Sequence, residues 1–463
     1  MNEPYTAVKG LYNLVGVLHN DPDEGTGILK LVKFVRNLQG HKIPEVVVKY
    51  SLARQINLFG GYPSKSDIWP SAVLAAIFGI LALAHLFVFL FNWSRGHYFY
   101  LTLIFGFCSL MKLIGFTTRA IWGGDQTLVQ VGLTSEFFII APFVIVVSAN
   151  LVLAQRIFAW RHPVGGNRWL FWNFMIFLYI MVAVLLGITV LASFVPYINL
   201  ISTKSYHQWN QVVMATAIIV DAYSLTAISL IALAFFFKPT RKDENLYTYQ
   251  PWWIESFSPF YYVKKNAAQE AEETFMKRNH NHRHAIRVIA ATHHNYNTVE
   301  GLTNQRGSLK HNTSIVLITI TTLLILIPAI GRTVVVFHPQ ANIHASPAAN
   351  KTFMYISWGI FDIIIHILYL VGRVDLRFYR PDILPQKVRS IITAEQSYYP
   401  SDNEDYVPRH TKEYQYSESY DGFESIVSPP RFSFEDEKAE KKHAHFNFPS
   451  KDFNDERDSE FHF

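Results

Sequence analysis

Residues 71–91 read SAVLAAIFGILALAHLFVFLF, and this run indicates the fold class because it contains a single ionisable side chain, His85. About 20 mostly apolar residues in a helix cross the hydrocarbon core of a bilayer. Six further runs of comparable length follow, at residues 98–122, 128–158, 169–194, 212–237, 314–337 and 353–371. Their continuity excludes the alternating pattern of a membrane β-barrel, so we predict an all-α, seven-transmembrane helix bundle.

The composition separates a membrane body from a polar tail. Only 17% of the 463 residues are charged, against about a quarter in soluble domains, which excludes an ordinary cytosolic enzyme. Of the 36 acidic residues, 18 lie in residues 381–463 beside 10 Lys and Arg, so that this segment has a net charge of −8. We predict an extracytosolic segment at residues 1–67, a membrane domain at 68–380 and a disordered acidic tail at 381–463 that binds any cytosolic partners.

Basic residues near the spans predict the orientation in the membrane. The connections after the second, fourth and sixth runs contain two lysines, Lys204 and Lys351. The opposite side is richer in basic residues, which are Arg95, Arg161, Arg168, Lys238, Arg241, Lys242, Arg373, Arg377 and Arg380. Since Lys and Arg accumulate on the cytosolic side, we predict the N-terminus outside and the C-terminus in the cytosol. The basic residues of the N-terminal flank, Lys49, Arg54 and Lys65, count against this orientation. No cleaved signal peptide is expected at the N-terminus.

Two segments outside the spans allow alternative interpretations. Residues 27–38 read GILKLVKFVRNL and predict an amphipathic helix that either lies in the membrane interface or packs on the extracellular loops. In the 238–312 loop, residues 279–284 read NHNHRH. His-rich tracts bind metals in some proteins, but here no acidic or cysteine ligand is adjacent. We therefore interpret this tract as part of a solvated basic loop and predict no metal site.

Seven ionisable side chains inside the apolar runs are the candidate functional residues. They are Lys112, Arg119, Glu136, Asp221, Arg332, Asp362 and His366. A lone charge at the bilayer centre costs about 2.5–3.5 kcal/mol on insertion scales, so these groups are expected to face inward and pair. In one interpretation Glu136, Asp221, Arg332 and Asp362 line an outer cavity that binds a polar ligand or passes protons. In the other, which we favour, the set is a buried network that fixes helix packing.

Local features refine this set. Asp362 and His366 are one helical turn apart, a spacing that allows direct contact or a proton relay. Arg156 is expected to extend to the lipid headgroups. Pro142 and Pro328 are expected to bend their helices or to free carbonyl groups there.

Several short motifs carry a resemblance to a known family. They are GGYP at 60–63 with Ser66 and Asp67, GFC at 106–108 leading to RAIW at 119–122, NLVLAQR at 150–156, and GRVDLRF at 372–378 followed by Pro381. Together they resemble a fungal family of polytopic membrane proteins catalogued as a domain of unknown function. In that family an arginine replaces Lys112 and a glutamate replaces Asp362, so charge is kept at both positions. The resemblance implies a fungal source and a multi-helix fold, but no established activity.

The missing motifs narrow the function classes. The seventh run has no lysine for a retinal Schiff base, and Cys108 is the sole cysteine, so no intrachain disulfide forms. We find no phosphate-binding loop, zinc-protease motif or nucleophile constellation, and predict neither enzymatic activity, nor a cofactor, nor nucleic-acid binding. Our leading hypothesis is a transporter-like or lipid-handling protein of a fungal plasma membrane or endomembrane. The alternatives are a sensor that signals through the 238–312 loop and the tail, and a structural protein that organises the membrane.

Overall fold

The computed structural model describes residues 7–40, 42–166, 168–244, 247–249, 254, 256–267, 269–270, 288–290 and 311–379. The acidic tail, the His-rich tract and most of the 238–312 loop lie outside these residues. The predictions of disorder, partner binding and absence of metal in those segments therefore concern residues outside the described part of the chain.

Within the described residues, seven helical segments are long and apolar enough to cross a membrane, which confirms the predicted architecture. We call them spans 1 to 7; they run over Ile68–Trp93, Tyr100–Gly124, Val129–Arg161, Trp169–Ile198, Thr203–Ser224 with Thr226–Phe236, His311–Phe337, and Lys351–Val371. Large apolar side chains such as Leu83, Phe177 and Ile180 face outward and are exposed. Such a surface is stable against lipid rather than water, and the protein is an integral membrane protein.

Span 5 begins nine residues before the predicted start, at Thr203 instead of 212. Its first two turns are polar and include Lys204 and His207, so hydropathy alone does not include them. The side chain of Ser202 caps this start by accepting a hydrogen bond from the backbone N–H of Ser205. A helical backbone satisfies its own hydrogen bonds, so the helix continues beyond the apolar stretch.

Span 7 changes its helical winding in the middle. Residues Lys351–Met354 are α-helical, Tyr355–Ile360 form a π-helix and Phe361–Val371 return to the α-helix. The wider π-turn rotates the side chains that follow it relative to a regular α-helix, and such turns are frequent at functional sites. Asp362 and His366 therefore do not occupy the positions that uniform α-helical spacing from the start of the span would give them.

The centre of the bundle is span 3, which is the most buried of the seven, whereas span 4 is the least buried. The larger apolar core packs span 3 against spans 5, 6 and 7 and includes Leu153, Ile318 and Tyr369. A second core lies nearer the N-terminal segment and includes Phe78, Phe116 and Trp358. Spans 3 and 6 remain helical through Pro142 and Pro328.

The N-terminal segment folds onto one end of the bundle through three helices, α1 (Ala7–His19), α2 (Ile28–Gln39) and α3 (Glu45–Arg54). Helix α2 buries Ile28, Leu31 and Val35. The apolar neighbours around Ile28 include Val129 of span 3 and Tyr197 of span 4. The apolar face of the amphipathic helix is thus covered by the chain itself, in agreement with the packed alternative rather than the interfacial one.

The segments that connect the spans lie at the two ends of the helix bundle. At the N-terminal end, Gly27 N–H donates to Pro196 O at 2.7 Å and Asn57 N–H to Gln340 O at 2.9 Å, which ties the segment to spans 4 and 6. At the opposite end lie the connection 94–99, residues 256–267 and a short helix, Val374–Arg377, which follows span 7. Short 3-10 helices lie at Lys65–Asp67, Asn342–His344 and Pro347–Ala349. The other described elements are the helices Pro163–Gly166 and Arg241–Glu244 and an antiparallel strand pair, Tyr247–Tyr249 with Val288–Ala290.

Candidate functional site

Lys112 and Asp362 form a tight ion pair between spans 2 and 7. Lys112 Nζ lies 2.5 Å from Asp362 Oδ2, and the two side chains are 1% and 9% exposed. Lys112 Nζ also donates to the carbonyl oxygen of Trp358 at 3.2 Å, within the π-helix. The ammonium group therefore bonds both the carboxylate and the π-helix, which fixes the position of span 7 against span 2.

Arg119 joins span 2 to span 3 and to the N-terminal segment. Its Nη1 lies 3.3 Å from Glu136 Oε1, and its Nη2 donates to Gly60 O at 2.8 Å and Gly61 O at 3.1 Å. Both glycines have positive φ, and a Cβ atom on Gly60 would meet the Met354 side chain at 2.6 Å. The double glycine is therefore required for a turn that presents two carbonyl oxygens to one guanidinium.

His366 forms its hydrogen bonds with residues of spans 1 and 2. Its Nδ1 lies 3.2 Å from His85 Nε2 and 3.3 Å from Ser109 Oγ, and the structure gives no hydrogen bond between His366 and Asp362 among the described residues. The spacing allowed a direct contact or a proton relay, but Asp362 bonds Lys112. His366 instead packs among spans 1, 2 and 7.

Asp221 and Arg332 remain outside these pairs. Asp221 Oδ2 accepts a hydrogen bond from Thr333 Oγ1 at 2.7 Å, and its other oxygen is buried without a partner. Arg332 is half-buried and feels the charges of Glu136 and Asp221. It makes neither a hydrogen bond nor an ion pair within 4 Å with any residue in the described part of the chain. Of the three cations in the candidate set, Lys112 and Arg119 have hydrogen-bond acceptors, whereas Arg332 has none among the described residues.

A cavity of about 120 Å³ lies beneath the N-terminal segment, and Arg332 lines it. Its walls come from the N-terminal ends of spans 3 and 5, the C-terminal ends of spans 2, 4 and 6, the π-helix of span 7, and residues 56–59 and 62. The polar side chains of the lining are Asn57, Tyr62, Glu136, Ser193, Tyr197, Tyr206, Asn210 and Arg332. The remaining lining is mostly apolar and aromatic. A largely apolar cavity with a few convergent polar groups is typical of small-molecule sites.

Two of the seven predicted residues line the cavity, and Lys112, Arg119, Asp221, Asp362 and His366 are not in its lining. Glu136 and Arg332 reach the cavity, whereas Asp221 and Asp362 do not line it. Lys112, Asp362 and His366 lie in close contacts within the helix packing. Sequence reasoning missed Trp122 and Trp358 as lining residues, because an aromatic side chain in an apolar run carries no signal that separates a cavity wall from ordinary core.

A second buried polar cluster lies at the opposite end of the bundle. Arg373 Nη2 lies 2.7 Å from Asp375 Oδ2, and Asn92 Nδ2 donates to the same oxygen at 2.8 Å. Arg373 also donates to the carbonyl oxygen of Ser258 at 2.8 Å and to that of Tyr261. The cluster thereby connects span 1, the exit of span 7 and residues of the 238–312 loop.

Residues 163–379 match the model of a family described as protein of unknown function (DUF3112). The match confirms the resemblance to a family catalogued in that way. No curated protein and no solved structure matches the chain.

The motifs that carried the resemblance contribute mainly to packing between helices. GRVDLRF at 372–378 lies inside the DUF3112 match and supplies Arg373 and Asp375, while the other motifs precede it. In NLVLAQR, Asn150 Oδ1 accepts a 2.6 Å hydrogen bond from Tyr369 OH. Arg156 donates to the carbonyl oxygen of Phe378, so its side chain is held by the chain rather than extended to headgroups as predicted.

Two shifted pKa values at this second cluster couple it to pH. Burial lowers the pKa of His97, against the opposing charge of Asp375. Burial acts to raise the pKa of Asp375, but the hydrogen bonds and charge of Arg373 outweigh it and hold the pKa below its ordinary value. In both cases the unfolded chain binds more protons than the folded one, so the free energy of unfolding falls as the pH falls.

We expect His97→Gln to make the protein less sensitive to mild acid. His97 Nε2 lies 2.8 Å from Asp375 O, and a glutamine N–H keeps this donor while removing the titration. The loss for His97 begins as the pH falls through its unfolded pKa of about 6.5. Thermal unfolding between about pH 7.5 and 5.5 should show a steeper decline for the wild type than for His97→Gln. Exposed His344→Gln is the control and should follow the wild type; three parallel profiles would contradict the assignment.

Proposed function

We propose that this integral membrane protein binds a small, mostly apolar molecule with a hydrogen-bond acceptor in the cavity beneath its N-terminal segment. The observation that carries the proposal is Arg332, which lines the cavity without a hydrogen-bond partner among the described residues. A guanidinium has five N–H donors and no acceptor, so its partner must present acceptor atoms. Arg332 is half-buried in a largely apolar and aromatic lining, so an acceptor on a bound molecule would stabilise it.

The size of the cavity limits the molecule. Its volume of about 120 Å³ is close to that of an engineered apolar cavity of about 150 Å³ that binds benzene. A single ring with one polar substituent fits this volume, whereas a whole lipid does not. The proposal therefore favours a small amphipathic ligand over bulk lipid handling.

We propose binding rather than catalysis. Glu136 is held by Arg119 at 3.3 Å and is not hydrogen-bonded to any nucleophilic side chain in the described residues. Deeper in the bundle, Lys112 with Asp362 and Asn150 with Tyr369 are in direct contact. A ligand site at one end above packed polar contacts supports the sensor interpretation, while a transporter would have to separate these contacts during each cycle.

Filling the cavity tests the proposal. We expect benzamide, a ring with one carbonyl acceptor, to raise the unfolding temperature of the wild type in nanodiscs, because a ligand that binds the folded state stabilises it. Val213→Phe places a ring in the cavity lining and should abolish the shift. Val184→Phe adds the same volume on an exposed face of span 4 and should retain it.

Either of two results contradicts this proposal: an unchanged shift in Val213→Phe, or no shift in the wild type. Benzamide flux across reconstituted vesicles separates transport from sensing. Flux that Val213→Phe abolishes supports the transporter interpretation, and binding without flux supports the sensor.

A further inference from the structure

The lining of the cavity has an excess of positive charge. Glu136 is its carboxylate, but Arg119 already bonds that group, and the charge of Arg332 also acts on it. Two guanidinium groups thus share one carboxylate. Asp221 also acts on Arg332, yet its side chain is half-exposed, bonds Thr333 and does not line the cavity. The unbalanced charge at the cavity wall is therefore a cation, and it belongs to Arg332.

The rest of the lining is rich in aromatic rings. They are Phe59, Tyr62, Trp122, Phe194, Tyr197, Tyr206 and Trp358. Ring faces and edges pack well against a flat unsaturated body, in offset or edge-to-face arrangements. The indole of Trp358, which lines the cavity, is 1% exposed, and its Nε1 has no hydrogen-bond partner in the described residues. The cavity-lining cation without a partner in the described residues is Arg332, a donor group that requires acceptor atoms.

We infer that the cavity takes a small monoanion with a flat ring body, of the benzoate class, with its carboxylate on Arg332. The inference rests on the proposed binding function and specifies its ligand. A carboxylate matches the fork of a guanidinium with two parallel hydrogen bonds, which a neutral carbonyl does not provide. A cationic ring compound of the same size meets like charge at Arg332 and is rejected.

Three probes of nearly equal shape test the inference: benzoate, benzamide and benzylamine, titrated against the full chain in nanodiscs by calorimetry. We expect benzoate to bind at least about tenfold tighter than benzamide, which corresponds to about 1.4 kcal/mol. Benzylamine is expected not to bind. Arg332→Gln should reduce the benzoate affinity to that of benzamide and change the benzamide affinity little. Arg332→Lys keeps the positive charge, so it should still bind benzoate more tightly than benzamide.

The outcomes separate this inference from the proposed function. If benzamide binds in a manner that Val213→Phe abolishes, but benzoate has no advantage or benzylamine binds best, the anionic class is wrong and the binding function stands. If none of the three probes binds, both are wrong. Should Arg332→Gln fail to fold, the probe series on the wild type and on Arg332→Lys still decides the charge preference.

Discussion

Asp362→Asn is expected to lower the free energy of unfolding by about 3–5 kcal/mol, because removal of one partner leaves the other as an uncompensated buried charge. The residue left behind is Lys112, whose side chain is 1% exposed and whose Nζ lies 2.5 Å from Asp362 Oδ2. Lys112→Met should lower the free energy of unfolding by a similar amount, since it leaves the carboxylate of Asp362 unpaired. Thermal unfolding and denaturant titration of the purified protein in micelles measure both.

The double variant Lys112→Met with Asp362→Leu distinguishes pairing from simple loss of volume. Replacing both members of a buried pair by apolar residues of similar size is often close to neutral. We expect the double variant to be more stable than either single variant, with a residual loss of about 1 kcal/mol from the carbonyl of Trp358, which loses its donor.

A surface pair provides the matched control for this series. Lys351 pairs with Asp67 at 3.2 Å, but its side chain is 45% exposed. Lys351→Met should therefore cost less than about 1 kcal/mol. Additive losses in the double variant, or equal losses in the control, would show that the Lys112–Asp362 pair does not hold the bundle together. A loss of benzamide binding in Asp362→Asn at unchanged stability would instead assign Asp362 to the ligand site.

Arg119→Met is expected to destabilise the protein by a similar amount, about 3–5 kcal/mol, and to release part of the N-terminal segment. The variant leaves Glu136 without its 3.3 Å partner and frees the carbonyl groups of Gly60 and Gly61. Hydrogen exchange followed by mass spectrometry should show faster exchange in residues 55–64 than in spans 3 and 6, because local opening follows loss of the anchoring contacts.

Arg36→Met is the control for the same kind of substitution in the N-terminal segment. Arg36 Nη2 donates to Thr127 Oγ1 at 2.9 Å and is half-buried, so its loss removes a contact without burying a lone charge. We expect a cost of about 1 kcal/mol and no change of exchange at residues 55–64. Equal exchange in Arg119→Met and the wild type would mean that other contacts hold the Gly60–Gly61 turn.

Individual site residues were predictable, but their partners were less so. A charge within an apolar run is conspicuous, which is why Lys112, Arg119 and Arg332 were identified from the sequence alone. The spacing of Asp362 and His366 within one span allowed a direct contact or a proton relay. In the structure each of these side chains bonds to other spans, Asp362 to span 2 and His366 to spans 1 and 2.

The GGYP motif is typical of a turn, but the sequence does not show the contact that the turn makes. GGYP was recognisable as an unusual stretch, and glycine pairs suggest a tight turn. Nothing in its spacing indicates that the turn presents its carbonyl groups to a guanidinium in span 2. That contact depends on where residues 56–62 lie over the bundle, which the hydrogen bonds of Asn57 to His338 and Gln340 fix from span 6.

The sequence by itself determined that seven helical segments cross a membrane and that charges lie within them. This follows because hydrocarbon offers no hydrogen bonds, so a spanning backbone must satisfy its own through helices, and composition shows which segments qualify. Only the tertiary structure decided that Lys112 bonds Asp362, that Arg119 bonds Glu136 and that Arg332 lines a cavity. These outcomes depend on the rotation and depth of each helix against its neighbours, which arise from side-chain packing between segments far apart in the chain.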